Sequence, residues 1–189
     1  RVWITSNLWL SFFGTSLVLT LLQNWLPSLI FGLGLSPEQV SYVQMGFNLG
    51  GSIGILFFGF TLDRFNKFAI VSLGYLGILT SLIGLAISQQ AFAFTLSATG
   101  CGMFIIGCQS MLYSLAAKYY PTAMRGTGVG AAVSIGRTGA FTGPLLAGYL
   151  LSIGQSEIFV IVSSIPMILL AAITAFILLR IPNYADHHH

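Results

Sequence analysis

The sequence predicts an all-α integral membrane protein with six transmembrane helices. Its 189 residues are 56% hydrophobic and only 6% charged, and their mean hydropathy of +0.90 lies above that of soluble globular domains. The apolar residues form long runs between short polar clusters, and a helix needs about 20 such residues to cross a hydrocarbon layer about 30 Å thick. Strands of a membrane barrel would instead be about 10 residues long, with alternating polarity.

Six segments have the required length, and turn-forming residues separate them. Pro27 and the glycines after it predict the end of the first span, and Ser36 or Pro37 followed by Glu38 predicts the start of the second. Pro121 separates the fourth span from the fifth. The predicted spans comprise residues of about 4–27, 38–61, 68–87, 91–117, 123–151 and 157–180.

Glycines four residues apart in the second and fifth spans predict close helix packing, because small residues let neighbouring backbones approach each other in lipid. Gly143 followed by Pro144 also predicts a bend in the fifth helix, since proline removes one backbone hydrogen bond. The predicted packing glycines are Gly46, Gly50, Gly54, Gly126, Gly130, Gly139 and Gly143.

The charged loop residues predict an orientation in the membrane. When successive spans alternate in direction, one side receives only Glu38 and Glu157. The other side receives Arg1, Arg64, Lys67, Lys118, Arg125 and Arg180. The positive-inside rule then places both termini in the cytoplasm of a multi-pass protein of the inner (plasma) membrane. We therefore expect the net charge of +3 to reflect topology and not nucleic-acid binding.

Arg137 is the one charged residue that lies in the interior of a predicted span. With Thr122 capping the fifth helix and Arg125 in its first turn, Arg137 lies roughly 15 to 20 Å along the helix, near the membrane midplane. A guanidinium keeps its charge there, so it has to face protein, water or an anion. The alternatives are a fixed ion pair and a snorkelling side chain. Its depth argues against snorkelling, and no acidic residue is predicted at the same depth.

Polar side chains concentrate in spans one, two, four and five, which predicts that these spans surround a cavity. The third and sixth spans carry only small hydroxyls and Tyr75, and are predicted to be lipid-facing or supporting helices. For any single amide, a helix-to-helix hydrogen bond of about 0.6 kcal/mol remains an alternative. The polar residues of the four spans are Ser16, Thr20, Gln23, Asn24, Gln44, Asn48, Gln109, Tyr113, Ser134 and Arg137.

Two motifs resemble those of a known transporter family. The segment from Gly59 to Lys67, GFTLDRFNK, is similar to the cytoplasmic G-x-L-x-D-R-x-x-R/K signature of the major facilitator superfamily, with threonine at its third position. FNLGG at 47–51, YPTAMRGTGVG at 120–130 and GRTGAFTGP at 136–144 look like the second half of aromatic acid:proton symporters. Carriers of nicotinate, muconate, sialic acid and sugars share parts of this pattern.

The resemblance implies a fold and a set of partners. The chain would be the C-terminal six-helix half of a twelve-span carrier, itself a 3+3 inverted repeat, and would require the N-terminal half, which is expected to hold the proton-coupling acids. The first residue is not Met, and residues 187–189 are histidines. We therefore expect that both ends of the chain were chosen for recombinant expression and that the histidines are the remnant of a tag. No cofactor or metal is implied.

The resemblance also implies the roles of individual residues. Arg137 would attract the carboxylate of a small organic anion in a midplane site that the two halves expose to either side in turn. Six neutral residues, which would supply hydrogen bonds or a stacking face, are Asn24, Gln23, Asn48, Gln109, Tyr113 and Thr20.

A second group of residues is implied to form a conformational gate at the cytoplasmic side. Asp63 would pair with a nearby cation or rest against a helix N-terminus of the other half. The alternative is that Asp63 is an ordinary loop charge that has no role in a gate. The residues of this predicted gate are Gly59, Asp63, Arg64, Lys67 and Arg125.

The sequence leaves alternatives to a carrier. A complete six-span protein that forms a homodimer and a scaffold or receptor without transport are both compatible with the spans, but the scaffold leaves Arg137 unexplained. An enzyme is disfavoured, because the spans contain no Ser/Lys, Asp/Asp or HExxH arrangement. Isolated from its other half, the chain is expected to associate with itself, or to relax around spans one, two, four and five, in a lipid bilayer or detergent.

Overall fold

The computed structural model describes residues 2–62, 64–120 and 124–180, and the secondary structure of these residues is helical. Asp63, Pro121, Thr122 and the histidines at 187–189 lie outside the described residues. The helices are α1 (Val2–Gly32), α2 (Pro37–Thr61), α3 (Lys67–Ile87), α4 (Ala91–Tyr119), α5 (Arg125–Ser152), α6 (Glu157–Ser163) and α7 (Ile165–Leu179).

Five helical stretches of the described chain are long and apolar enough to cross a membrane. They correspond to α1, α2, α3, α4 and the continuous stretch Glu157–Leu179, which comprises α6 and α7. The predicted fifth span, α5, has 28 residues and is long enough, but its seven glycines, two arginines and several hydroxyls make it less apolar. It packs beside α1 in parallel, so it occupies the same depth as a helix that does qualify.

The first helix extends beyond its predicted end. Pro27 was expected to close the span, but α1 continues through it to Gly32. A proline in a helix removes only its own N–H bond, and the chain beyond it still pairs, since Leu33 N donates to Leu29 O at 3.2 Å. The helix ends where Gly34 adopts a φ of +94°, a conformation that favours glycine.

The sixth span is divided in two. It was predicted as one helix over 157–180, but the helix is interrupted at Ser164, between α6 and α7. Pro166 explains the break, because it cannot donate to the carbonyl four residues earlier. The fifth helix, in contrast, continues through Pro144.

The packing of the helices forms an inverted repeat of three plus three spans. The most extensive contacts are α2 with α4 and α1 with α5, followed by α1 with α7 and α3 with α4. Exchanging the first three spans with the last three converts each of these pairs into its counterpart. Because successive spans alternate in direction, the two groups of three run in opposite senses.

Both major seams depend on glycine. A side-chain carbon at these positions would collide with a backbone carbonyl of the neighbouring helix. The approaches are Gly50 to Thr99 O, Gly54 to Met103 O, Gly139 to Phe13 O and Gly143 to Leu17 O. This confirms the predicted packing at these four glycines and at Gly46, which lies against Thr99. Gly126 and Gly130 were predicted wrongly, because no described atom lies within 4 Å of a side-chain carbon placed at either.

Buried hydroxyl pairs fix α1 to the two outer helices. Thr15 Oγ1 and Tyr75 OH are 3.2 Å apart, and Ser11 Oγ and Thr174 Oγ1 are 2.8 Å apart. Tyr75 is therefore a buried tether between α1 and α3, and does not face lipid. These bonds make α1 the central helix that carries one wall of the candidate site.

Candidate functional site

The two ends of the bundle carry opposite charge among the described residues. At one end, Tyr120 OH donates to Thr5 Oγ1 at 3.3 Å and joins the start of α1 to the end of α4. The cations Lys67, Arg125 and Arg180 lie at this end. At the opposite end, the Glu157 carboxylate lies against Gly32, close to the first turn of α2 and its Glu38. Both described acidic residues therefore lie far from the middle of α5.

Arg137 lies near the centre of α5, about 18 Å from the start of the helix. Its neighbour Gly136 turns towards α1, where a side-chain carbon would be 3.1 Å from Ser16 Oγ. Arg137 is exposed, and within the described ranges its guanidinium makes no ion pair or hydrogen bond. A permanent cation is thus held at membrane depth without a partner from the described chain.

Arg137 lines a cavity of about 200 Å³ between α1, α4 and α5. Three other predicted site residues share this cavity: Thr20, Gln109 and Tyr113. The remaining lining residues are Ser16, Leu19, Val133, Gly136 and Ala140. One cation, four neutral polar side chains and an apolar wall suit a small organic anion with a ring.

Gln109 and Tyr113 lie one turn apart on α4. The Tyr113 ring meets the buried Phe12 ring edge to face, with centroids 5.2 Å apart, which fixes the orientation of the phenol. The Gln109 Oε1 atom is buried and has no hydrogen-bond partner among the residues that the structure describes. Tyr113 therefore presents a fixed aromatic ring to the cavity, whereas the Gln109 oxygen is buried and not accessible from it.

The polar stripe of α1 only partly enters the cavity. Thr20 Oγ1 donates to Ser16 O at 2.8 Å, and Asn24 Nδ2 donates to Thr20 O at 2.8 Å. Gln23 and Asn24 are exposed and are not among the residues that line the cavity. The structure thus brings Thr20 to Arg137 but leaves the two amides on the open surface above it.

Asn48 lies in a different place. It lines a groove of about 580 Å³ on α2, together with Pro27 of α1. Its Nδ2 donates to Gln44 O at 2.9 Å, and Gln44 Oε1 is buried without a partner in the described part of the chain. The groove is completed by Val40, Ser41, Gln44, Met45, Leu49 and Ser52.

The inverted repeat explains why Asn48 and Arg137 are separated. The seam glycines Gly50 and Gly139 have equivalent contacts, and Asn48 precedes the first by two residues as Arg137 precedes the second. The two side chains therefore occupy equivalent positions, Asn48 in the first group of three spans and Arg137 in the second. Each faces its own concavity, one lined by an amide and the other by a cation.

The apolar wall was not singled out from the sequence. Val133 and Ala140 lie four and three residues from Arg137, so helical spacing alone places them on its face. That spacing is the signal that could have identified them. Leu19 precedes Thr20 on α1, and nothing in its local sequence distinguishes it from other leucines.

The described gate residues lie at the same end of the bundle, near the end of α2 and at the starts of α3 and α5, and Asp63 lies outside the described residues. The Arg64 guanidinium carbon lies 4.0 Å from the centroid of the Phe60 ring, in a cation–π contact. Lys67 is the first residue of α3, and exposed Arg125 is the first of α5. A cation at a helix N-terminus is opposed by the helix dipole. Gly59 is exposed, and no described atom lies within 4 Å of a side-chain carbon placed there.

Comparison with known proteins relates this chain to a family of membrane transporters. Residues 8–188 match the sequence model of the Major Facilitator Superfamily. The 3-(3-hydroxy-phenyl)propionate transporter of Escherichia coli is 40% identical over 186 residues, which are 96% of this chain and 46% of that protein. The 4-hydroxybenzoate transporter of Pseudomonas aeruginosa is 38% identical over 152 residues, 79% of this chain and 34% of that protein.

A third relative carries an unsubstituted acid in its name. The benzoate transport protein of Acinetobacter baylyi is 33% identical over 181 residues, which are 94% of this chain and 38% of that protein. The chain spans less than half the length of each of these three relatives.

Proposed function

Because this chain belongs to the major facilitator superfamily, we propose that it is the C-terminal half of a carrier that moves small aromatic carboxylates across the inner membrane. The two halves would rock around a midplane site and expose it to either side in turn. The similar proteins named for transport of hydroxyphenylpropionate, hydroxybenzoate and benzoate support this substrate class.

The observation that carries the proposal is the unpaired Arg137 in a cavity with an apolar wall. A planar guanidinium binds a carboxylate through two parallel hydrogen bonds, and the low dielectric of a site inside the membrane strengthens the pair. Thr20, Gln109 and Tyr113 would complete the site with neutral groups. Asn24, Gln23 and Asn48 would contact the substrate from outside this cavity, when the other half closes the site.

Proton coupling is the second part of the proposal. The central part of the described chain holds no acidic residue near Arg137, since Glu38 and Glu157 lie in the first turns of α2 and α6. The groups that carry the proton would therefore belong to the N-terminal half. Substrate binding at Arg137 and proton binding in the other half would both favour the same rocking motion.

The gate is the third part. Lys67 and Arg125 each place a positive charge at the unfavourable end of a helix, which is explained if an acidic group of the other half pairs with them. Arg64, held against Phe60, and Asp63 would make the corresponding contacts in the adjoining turn. With this end in the cytoplasm, the contacts would close the inner side of the carrier.

Uptake by the full-length carrier in proteoliposomes tests the proposed function. With an inwardly directed proton gradient, we expect benzoate and 3-hydroxyphenylpropionate to accumulate, and a protonophore to abolish the accumulation. Glucose serves as the neutral comparison and should not be taken up. Accumulation of glucose in place of either acid would contradict the substrate class, and acid uptake that is insensitive to the protonophore would contradict proton coupling.

A further inference from the structure

We propose that Ser16 is a second ligand of the substrate carboxylate, and that its hydroxyl donates a hydrogen bond to the carboxylate that Arg137 binds. The inference rests on the proposed function of the Arg137 cavity. It adds a neutral donor from α1 to that site, so that α1 and α5 hold the carboxylate together.

The first observation is a buried hydroxyl that has no partner. Ser16 is only 6% exposed, and its Oγ atom makes no hydrogen bond within the described part of the chain. The other buried serine, threonine and asparagine side chains of the described residues each make one. These are Asn7, Ser11, Thr15, Thr61, Ser164 and Thr174. Because a buried polar group normally replaces its bonds to water, the exception points to a partner from outside the chain.

The second observation is that this hydroxyl can be reached. Ser16 lines the Arg137 cavity, and its oxygen keeps accessible surface, whereas the Gln109 oxygen on α4 is fully enclosed. The Thr20 hydroxyl, one turn further along α1, already donates to Ser16 O at 2.8 Å. Of the described hydroxyls on the α1 wall of the cavity, Ser16 is therefore the one with a free O–H group.

The third observation places the hydroxyl beside Arg137. A side-chain carbon at Gly136, the residue before Arg137, would lie 3.1 Å from Ser16 Oγ. Glycine at this position leaves room for the hydroxyl next to the stretch of backbone that carries the guanidinium. A carboxylate that pairs with Arg137 inside a cavity of about 200 Å³ would then meet both groups.

The chemistry of a carboxylate suits this pair of donors. An ionised carboxylate only accepts hydrogen bonds, and it offers about four acceptor positions, of which a bidentate arginine occupies two. A serine hydroxyl can donate to a third position without bringing a further charge into the membrane. Hydrogen bonds to an ionised group are also stronger than those between neutral groups, so the carboxylate is the part of an aromatic acid that gains most from Ser16.

Binding of aromatic acids to the purified full-length carrier tests the proposal. We expect Ser16→Ala to weaken benzoate binding about 10-fold, the effect of one hydrogen bond to a charged acceptor. Binding of 3-hydroxybenzoate and 4-hydroxybenzoate should weaken by the same factor, because all three acids share the carboxylate. A loss confined to the hydroxylated acids would show that Ser16 binds the ring hydroxyl, and would overturn the proposal.

Ser11→Ala is the matched control. Ser11 is also a buried serine of α1, but its hydroxyl oxygen lies 2.8 Å from Thr174 Oγ1, and Ser11 does not line the cavity. We expect this variant to unfold at a lower temperature than wild type and to bind benzoate normally. Ser16→Ala should show the opposite pattern, with weaker binding and an unchanged unfolding temperature. Equal loss of benzoate affinity in both variants would make the Ser16 effect one of packing, and the proposal would be wrong.

The remaining outcomes separate this proposal from the proposed function. Normal benzoate binding by Ser16→Ala, together with weak binding by Arg137→Gln, would overturn the role of Ser16 alone. If Ser16→Ala does not insert, Ser16→Cys replaces it with the same expected loss, because a thiol is only a weak donor. The proposed function itself would fail if wild type bound none of the three acids, or if Arg137→Gln bound them normally.

Discussion

Arg137 is a charged residue that is costly inside a membrane, and no described residue pairs with it. Its neighbours Gly136 and Gly139 form the seam with α1, so the backbone is fixed while the guanidinium remains outside the seam. A structural arginine would be expected to pair within the bundle, and this one has no partner in the described chain. The residue is therefore suited to an anion that comes and goes.

Tyr113 provides a test of the aromatic wall. We expect Tyr113→Phe to transport benzoate with a KM within about threefold of wild type, because the ring and its contact with Phe12 remain. Tyr113→Ala should raise KM by roughly 5- to 10-fold, since aromatic contacts of this kind contribute about 0.5–1.5 kcal/mol. Substrate-dependent uptake rates give both constants. A Phe variant as impaired as the Ala variant would show that the hydroxyl matters and not the ring.

From the sequence, single site residues are proposed wherever a polar group stands in an apolar run. Arg137, Gln109, Tyr113 and Thr20 were identified in this way, and the structure places them around one cavity. Asn48 was grouped with them because both polar faces were assumed to meet in one place. Its position two residues before a seam glycine places it instead in the groove on α2, and this follows from packing that no local pattern reveals.

At the scale of elements, glycine spacing predicted two seams, but a spacing of four residues does not distinguish a packed glycine from an exposed one. Gly50 and Gly54 lie against backbone carbonyls of α4, whereas Gly126 and Gly130 lie on the open first turns of α5. The difference depends on where the neighbouring helix runs. Proline was a similarly incomplete signal, because Pro27 lies inside α1 while Pro166 coincides with a break.

This contrast predicts stability changes of opposite sign. Gly50→Ala should destabilise the purified protein by about 1–3 kcal/mol, because the added methyl group collides with Thr99 O. Gly130→Ala should be neutral or stabilise it by about 0.5–1 kcal/mol, since alanine favours a helix and the space is open. Thermal unfolding in detergent measures both. Equal effects of the two substitutions would show that α2 does not pack against α4 as described.

For the whole molecule, the inverted repeat accounts for the arrangement of the site. One group of three spans presents an amide at Asn48, and the other presents a cation at Arg137, from equivalent positions. The all-helical membrane fold was predictable from hydropathy and loop composition. Which side chains share a cavity was not, because it depends on the crossing of α1, α4 and α5.

Orientation is a prediction at this scale. Single cysteines replacing exposed Gln89 or Gln155 should react with a membrane-impermeant maleimide added to intact cells, because these loops lie at the end opposite Arg64. A cysteine at exposed Phe65 should react only after the cells are opened. The native Cys101 and Cys108 are buried and should remain unlabelled. The reverse pattern would place both termini outside.

The most direct measurement of the central claim is benzoate binding to the purified full-length carrier in which Arg137 has been replaced. We expect Arg137→Gln to weaken binding at least about 10-fold, because a charge-assisted pair contributes about 1.5–3 kcal/mol, and Arg137→Lys to recover only part of the loss. Arg180→Gln, which removes an exposed cation at the end of α7, is the control and should bind normally. Unchanged benzoate affinity in a folded Arg137→Gln protein would contradict the claim that Arg137 is the carboxylate ligand.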